Sequence, residues 1–219
     1  EKNVKGLIGQ FAAFGAVCAP LGLWYSFRNL ILFGQPLGYV VRFTDDSWLY
    51  CGDQSPVCRF LSFPLGQLFN PLYCRSGEDC NIWLYILKSS LFGEYSFDTS
   101  SWAAAALIVL NLLLILISFA AMITVMPRGK GVNRFVRFGL FGLWLVQMVA
   151  FFVSNLRYPF GCTMDFRYIL PTAIVGAIYI GVAFDRIKAK NKAAANVIFY
   201  VGIAVIALFG FTSVLFYAV

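Results

Sequence analysis

The sequence predicts an all-α integral membrane protein with about five transmembrane helices and a 78-residue outer loop carrying short interfacial helices. Of its 219 residues, 60% are apolar and only 12% are charged, whereas a soluble domain has about 25% charged residues. Five apolar stretches approach or exceed the roughly 20 residues that cross a hydrocarbon core of about 30 Å. These values exclude disordered and collagen-like chains, and nucleic acid is not an expected partner despite a net charge of +7.

The predicted spans divide the chain into three parts. Residues 1–24 hold the first span, 25–102 form the extracytoplasmic loop, and 103–219 form a four-helix transmembrane region. Glycine and Pro20 in the first span are compatible with a membrane helix, because neighbouring helices can satisfy the backbone groups that proline frees. In chain order the spans are 6–24, 103–125, 138–156, 168–184 and 196–219.

The charges of the loops predict the orientation. Alternation of the spans places residues 1–5, 127–137 and 185–195 on one side, with ten of the 17 basic residues and two of the ten acidic ones. This side has a net charge of +8, and the other side has −1. Positive loops remain in the cytoplasm. We therefore expect a multi-pass plasma-membrane protein with a cytoplasmic N-terminus and an extracytoplasmic C-terminus.

A signal peptide is the competing interpretation of the first 20 residues, because a basic flank precedes an apolar run. Cys18-Ala19-Pro20 is a poor cleavage site, however, and the chain does not begin with Met. We expect residue 1 to be an interior position of a longer protein.

Cysteine and histidine usage limits the chemistry. The chain has no histidine, which excludes Ser–His–Asp catalysis and every zinc site that needs histidine. Four of the six cysteines, Cys51, Cys58, Cys74 and Cys80, lie in the outer loop, where an even number predicts two disulfides. Proximity in sequence favours Cys51–Cys58 and Cys74–Cys80, although three connectivities are open. Their spacing does not match C-x2-C, so no metal site is predicted.

Two apolar segments of the outer loop are too short to span a membrane. They are 59–65 and 81–88, and each is flanked by charge. This pattern is typical of helices that lie in the outer leaflet interface. A small folded lid with its own core is the alternative, and the sequence leaves both open.

Three sequence segments carry a resemblance to a known family. Residues 23–36 read LWYSFRNLILFGQP, residues 81–94 read NIWLYILKSSLFGE, and residues 166–171 read FRYILP. Together they resemble, in the same order, the C-terminal half of GT-C polytopic membrane glycosyltransferases of the protein-mannosyltransferase-like group.

This resemblance implies a fold and an activity. Such enzymes move a sugar from a dolichyl- or polyprenyl-phosphate carrier to an acceptor on the outer face, with inversion at the anomeric carbon. An acidic residue in their first outer loop serves as base or metal ligand, and that loop lies outside the part resembled here. The resemblance therefore implies a hexosyltransferase with no catalytic residue assigned in this chain. A divalent cation would belong to the full-length enzyme, and its partners would be the bilayer and a lipid-linked sugar.

Five residues are candidates for binding the donor phosphate or the acceptor. Arg28 and Asn29 follow the first span, and Asp165, Arg167 and Tyr168 lie at the mouth of the fourth. Arginine offers a forked set of donors to phosphate oxygens at headgroup depth. The alternatives are that Arg28 only anchors its helix at the interface and that Asp165 only neutralises Arg167.

A function of another class is also consistent with the sequence. The chain could be a non-catalytic multi-pass membrane subunit whose disulfide-stapled ectodomain binds a partner. That hypothesis requires Arg28 and Arg167 to be replaceable.

Overall fold

The protein is described by a computed structural model, in which helices account for most of the described chain and no strand occurs among the described residues. The chain divides into two compact units, Glu1–Thr44 and Asp45–Val219. The described residues are 4–35, 44–74, 80–93, 97, 101–127 and 133–218.

Among the described residues of the first unit, 4–35 and 44, there is one long helix, α1 (Val4–Phe33). The predicted end of this helix at Trp24 is wrong, since nine further residues are helical. The segment from 25 to 33 is mostly apolar, with Ser26, Arg28 and Asn29 as its polar residues, and no helix breaker occurs in it before Gly34. Gly34 adopts a φ of +64°, a left-handed conformation that glycine accepts without strain and that commonly ends a helix. Pro36, part of the resemblance, lies outside the described residues.

The described part of the second unit contains five further α-helices. Four of them, together with α1, are long and apolar enough to cross a membrane, which confirms the number of predicted spans. Helix α3 packs against α2, α5 and α6, and α5 also packs against α4. The helices are α2 (Ile82–Phe92), α3 (Ser101–Val125), α4 (Arg134–Arg157), α5 (Pro171–Lys190) and α6 (Lys192–Ala218).

Local signals in the sequence fix the ends of these helices. Asn133 caps α4 by accepting a hydrogen bond from the amide of Phe135 at 2.9 Å. Pro171 begins α5, where its missing N–H has no helical partner to lose. Asn191 alone separates α5 from α6, and its side chain accepts a hydrogen bond from the amide of Ala194 at 3.1 Å. The last two helices therefore form a tight hairpin.

Two arginines donate hydrogen bonds to the backbone carbonyl groups at the C-terminal end of α3. Arg137 of α4 donates to the carbonyl oxygens of Val125 (3.2 Å) and Met126 (2.8 Å). Arg186 of α5 donates to the carbonyls of Thr124 (3.2 Å) and Val125 (3.1 Å). The last carbonyls of a helix lack intrahelical donors and carry the negative end of the helix dipole, so cationic partners stabilise them. We call this the basic end of the unit.

The opposite end carries a region that we call the head: residues 45–74, residues 80–92, which include helix α2, and residues 158–170. The predicted 78-residue loop with interfacial helices is not supported. Helix α1 extends into its beginning, and α2 is buried on most of its surface, with Ile82, Leu84 and Lys88 almost inaccessible to solvent. Helix α2 contacts α3 and the short helical turns of the head. It packs as part of a folded core, because its apolar residues occur on all sides and leave no polar face.

Helices α3 and α5 approach most closely at Gly176. A Cβ atom at this position would lie 2.1 Å from Oγ and 3.3 Å from Cβ of Ser118. Small residues at such crossings let membrane helices pack through backbone contacts. Gly181, one and a half turns further along α5, has no atom within 4 Å of the same imaginary Cβ.

We therefore expect Gly176→Val to destabilise the protein by about 1–3 kcal/mol, the usual cost of overpacking. Gly181→Val, in the same helix but facing open space, is the matched control and should leave stability almost unchanged. The midpoint of thermal unfolding in detergent measures both. Equal midpoints for the two variants would contradict close packing at Gly176.

Candidate functional site

Two distant segments of the head are joined by backbone hydrogen bonds. The amide of Cys51 donates to the carbonyl of Pro159 at 2.8 Å, and the amide of Gly161 donates to the carbonyl of Leu49 at 2.7 Å. Tyr50 and Phe160 form the antiparallel bridge between these bonds, and their ring centroids lie 5.6 Å apart. This bridge fastens the segment that precedes α2 to the connection between α4 and α5.

A buried arginine reinforces the same junction. Arg59, in the short π-helical turn Val57–Leu61, is only 4% exposed and donates from Nη2 to the carbonyl oxygen of Asn155 at 3.2 Å. The Asn155 side chain is itself fully buried and accepts a hydrogen bond from Thr163 Oγ1 at 2.9 Å. The end of α4 is therefore bound to both parts of the head. In the sequence, Arg59 is only the first residue of the apolar segment 59–65, and nothing there predicts that it is buried.

The start of α2 is fixed by Asn81. Its side-chain oxygen accepts hydrogen bonds from the amides of Trp83 and Leu84, both at 3.2 Å, which is the geometry of a helix N-cap. Its side-chain nitrogen donates to the carbonyls of Cys58 (2.8 Å) and Ser62 (2.9 Å). One amide group thus begins the helix and holds the π-helical turn against it.

Lys88 lies within the head and is fully buried. Its ammonium group donates to the carbonyl oxygen of Gln67 at 3.2 Å. Lysine is almost never fully buried unless it is paired. In the sequence, this position is marked only as the one charged residue of the run IWLYILKSSLF. That pattern did not predict that the lysine is buried.

Three predicted site residues, Asp165, Arg167 and Tyr168, lie together in the head. Asp165 is buried and caps the short 3₁₀ helix Phe166–Ile169, with Oδ1 accepting from the amide of Arg167 at 2.8 Å. Its Oδ2 lies 3.9 Å from Nε of Arg167. The Arg167 guanidinium stacks over the Tyr168 ring at 5.2 Å. Gln147 of α4 donates to the carbonyl of Tyr168 at 2.7 Å, which ties this turn to α4.

The environments of the two charged groups differ strongly. The Arg167 side chain is 58% exposed, whereas that of Asp165 is 8% exposed. One oxygen of Asp165 accepts from the backbone amide of Arg167, and the other lies 3.9 Å from Nε of its side chain, so the carboxylate places a negative charge beside the guanidinium. The exposed guanidinium, with an aromatic ring beside it, is suited to contact an anionic group. Tyr168, predicted as the first residue of a span, lies in the 3₁₀ helix Phe166–Ile169 before α5, within the stretch Gly161–Lys190 that is long and apolar enough to cross a membrane.

Arg28 and Asn29 belong to the first unit. Both lie inside α1 and not beyond its end, as the prediction had it, because the helix continues to Phe33. Arg28 is exposed and lines a shallow apolar groove along one side of α1 with Trp24 and Phe27. An arginine on an apolar helix surface has the placement expected of an interfacial side chain.

The structure does not support the predicted disulfides, since no two of the six cysteines lie at bonding distance. Cys51 is buried, whereas Cys58 is exposed. The thiol of Cys51 donates to the carbonyl oxygen of Leu49 at 3.5 Å, and Cys80 lies in the same apolar cluster. Interaction with Cys80, followed by burial, raises the pKa of the Cys51 thiol well above its ordinary value. Cys74 belongs to the same apolar cluster as these two residues.

Within the described part of the chain, no group of three or more Cys, Asp or Glu residues is arranged to hold a metal ion. Comparisons with protein-family models, curated proteins and solved structures found no match. The functional argument therefore rests on the residues of the head and of α1 themselves.

The capping role of Asp165 is testable by substitution. We expect Asp165→Ala to lower the free energy of unfolding by about 1 kcal/mol, the usual cost of losing a helix cap. Asp165→Asn keeps the capping oxygen and should lose less than half of this amount, because an ion pair to an exposed arginine contributes little. Thermal unfolding in detergent distinguishes the two. An equal loss in both variants would assign the stabilisation to the ion pair with Arg167 instead.

Proposed function

We propose that the chain is part of a membrane glycosyltransferase that moves a sugar from a polyprenyl-phosphate carrier to an acceptor on the outer face of the plasma membrane. The observation that carries the proposal is the exposed guanidinium of Arg167, oriented by the buried Asp165, directly before the apolar helix α5. The three sequence segments that resemble the GT-C group support it, and two of them lie in the head. Glu94, the last residue of one segment, lies outside the described residues.

The geometry suits a lipid-linked phosphate. A polyprenyl chain lies among the membrane helices, and its phosphate is then held at headgroup depth, near the first residues of a span. Arg167 precedes Pro171, the first residue of α5, by four positions. Its forked N–H groups match phosphate oxygens, and they would stabilise the negative charge that develops on the carrier phosphate as the sugar leaves. The Tyr168 ring offers a flat apolar surface beside it for the sugar.

Asp165 has a positioning role in this proposal. Its oxygens are engaged by the amide and the guanidinium of Arg167, and the group is buried. A general base needs an oxygen within reach of the acceptor. We therefore assign the base to the acidic loop that the family resemblance places outside this chain. Any divalent cation would belong with that loop.

The placement of charge supports the proposed orientation. Helix α5 runs from the head, where Arg167 lies, to the basic end, where Arg186 closes α3. Basic residues gather in the cytoplasmic segments of multi-pass proteins. The head would then face the extracytoplasmic side, with the N-terminus of the chain cytoplasmic and the C-terminus outside. Arg28 and Asn29, near the end of α1 in the first unit, are proposed separately as a contact for a lipid-linked phosphate.

The proposal predicts that Arg167→Ala weakens binding of polyprenyl phosphate, measured with purified protein in lipid nanodiscs, by at least about tenfold. In the full-length enzyme the same change should lower sugar transfer from a polyprenyl-phosphate-linked hexose to a similar degree. The basis is the loss of a bidentate charged contact, worth about 1.5–3 kcal/mol. Arg167→Lys keeps the positive charge but lacks the forked pair of donors. Its affinity for polyprenyl phosphate should therefore fall between that of the unmodified protein and that of Arg167→Ala.

Arg157→Ala is the matched control. Arg157 is exposed at the end of α4, and its guanidinium stacks over Tyr158 at 5.5 Å, like Arg167 over Tyr168. No buried carboxylate orients it in the described structure, so we expect binding within twofold of the unmodified protein. Equal binding by the Arg167→Ala and Arg157→Ala variants would overturn the proposed phosphate site. It would favour the non-catalytic subunit, for which Arg28 and Arg167 are replaceable.

A further inference from the structure

Two guanidinium groups meet at one carbonyl oxygen at the basic end. Arg137 donates from Nη1 to the carbonyl of Val125 at 3.2 Å, and Arg186 donates from Nη2 to the same oxygen at 3.1 Å. Arg137 is only 8% exposed, and Arg186 is half-buried. The Nε atoms of both arginines are buried and have no hydrogen-bond partner among the described residues. Two like charges are therefore held close together and partly shielded from water. We call them the arginine pair.

The arginine pair keeps a net positive charge. In the described structure its hydrogen bonds go to backbone carbonyls at the end of α3, and no carboxylate pairs with either guanidinium. The only acidic residue within 121–127, 133–140 and 180–200 is Asp185. It adjoins Arg186 on α5, and adjacent residues of a helix do not face each other. The C-terminus of α3 offers only about half a negative charge, which is too little to neutralise two guanidinium groups.

Four exposed cations lie close to the arginine pair along the chain. Arg134 precedes Arg137 by three positions on α4, a spacing that places two side chains on one face of a helix. The hairpin of α5 and α6 turns at Asn191 alone, whose amide donates to the carbonyl of Ile187 at 2.8 Å. Three exposed lysines flank this turn, and they are Lys188, Lys190 and Lys192. The basic end therefore carries a strong local excess of positive charge.

Aromatic side chains border these cations. Phe135, next to Arg134, is 84% exposed. The guanidinium of Arg134 stacks over the ring of Phe138 at 5.8 Å. Cationic and aromatic side chains together at the end of a span suit the surface of a bilayer, where headgroups meet acyl chains. A ligand that matches this surface has both a negative charge and an apolar chain.

We propose that the basic end binds the headgroup of an anionic phospholipid. The four exposed cations contact the phosphate oxygens, the arginine pair supplies a fixed positive charge behind them, and the acyl chains lie beside Phe135 along α4. The proposal rests on the assignment of α3 to α6 as membrane spans and on the placement of this end at the cytoplasmic surface, where anionic lipids are concentrated. It is independent of any activity at the head.

The competing role for these residues is to orient the chain during membrane insertion. That role depends on how many basic residues a loop contains. Lipid binding depends in addition on their arrangement in the folded protein. A measurement on purified, folded protein therefore detects lipid binding alone.

The test is native mass spectrometry of the purified protein in an uncharged detergent, with phosphatidylglycerol and phosphatidylcholine of the same acyl chains as probes. We expect phosphatidylglycerol to bind at least about tenfold more tightly, since each basic residue near the headgroups contributes about fivefold. The preference should shrink as salt is raised, because salt screens exposed charges. Equal binding of the two lipids would contradict the proposal.

Two arginines of α4 provide a matched pair of variants. Arg134 and Arg157 are both exposed, lie at opposite ends of the helix, and each stacks over an aromatic ring. Arg134→Gln should weaken phosphatidylglycerol binding by about fivefold, whereas Arg157→Gln should stay within twofold of the unmodified protein. Equal losses would show that net charge alone sets the affinity. Replacing Lys188, Lys190 and Lys192 together by Gln should remove most of the preference.

Thermal unfolding in the same detergent distinguishes a lipid from a free anion. Phosphatidylglycerol should raise the midpoint of the unmodified protein, and inorganic phosphate at the same concentration should not, because it has no acyl chains. An equal rise with inorganic phosphate would rule out a lipid as the specific ligand. The Arg167→Ala variant should keep its preference for phosphatidylglycerol. A failure of this proposal is thus distinguishable from a failure of the polyprenyl-phosphate site.

Discussion

The structure of the second unit depends on the partnering of backbone groups at the ends of its apolar helices. Between membrane helices, packing and hydrogen bonds replace the hydrophobic effect as the source of specificity, and unpartnered polar groups away from water are costly. The bridge between Leu49–Cys51 and Pro159–Gly161 meets this requirement at the head, and Arg137 and Arg186 meet it at the basic end. Asp165, which begins the turn that contains Arg167, lies four residues after Gly161 of the bridge. The bridge therefore also fixes the position of Asp165 and Arg167.

The spans were predictable from the sequence because the information for them is local. About 20 consecutive apolar residues define a membrane helix whatever lies around it. The end of α1 was misplaced because about 20 apolar residues already suffice for a span, whereas the backbone of the helix continues until Gly34. The interfacial helix was misassigned for a related reason. A short apolar helix such as α2 has the same composition whether it lies on lipid or inside a folded head.

The candidate site was predictable only where its members are neighbours in sequence. Asp165, Arg167 and Tyr168 span four residues, and one turn brings them together. Arg59 donates a hydrogen bond to the carbonyl of Asn155, which is 96 positions away in the sequence. No local sequence pattern predicts that contact. The cysteines illustrate the same limit. Pairing by proximity in sequence selects neighbours, but tertiary contacts bring together residues on separate elements.

The bridge of the head is the contact on which the fold of the second unit depends, and hydrogen exchange at single-residue resolution tests it most directly. In the protein in lipid nanodiscs, the amides of Cys51 and Gly161 should exchange together. Both amides should exchange at least about a hundredfold more slowly than the amide of the exposed Asp53. Their hydrogen bonds open only when the head separates from the helices. Exchange of Cys51 or Gly161 as fast as that of Asp53 would show that the two segments are not joined, and would contradict the account.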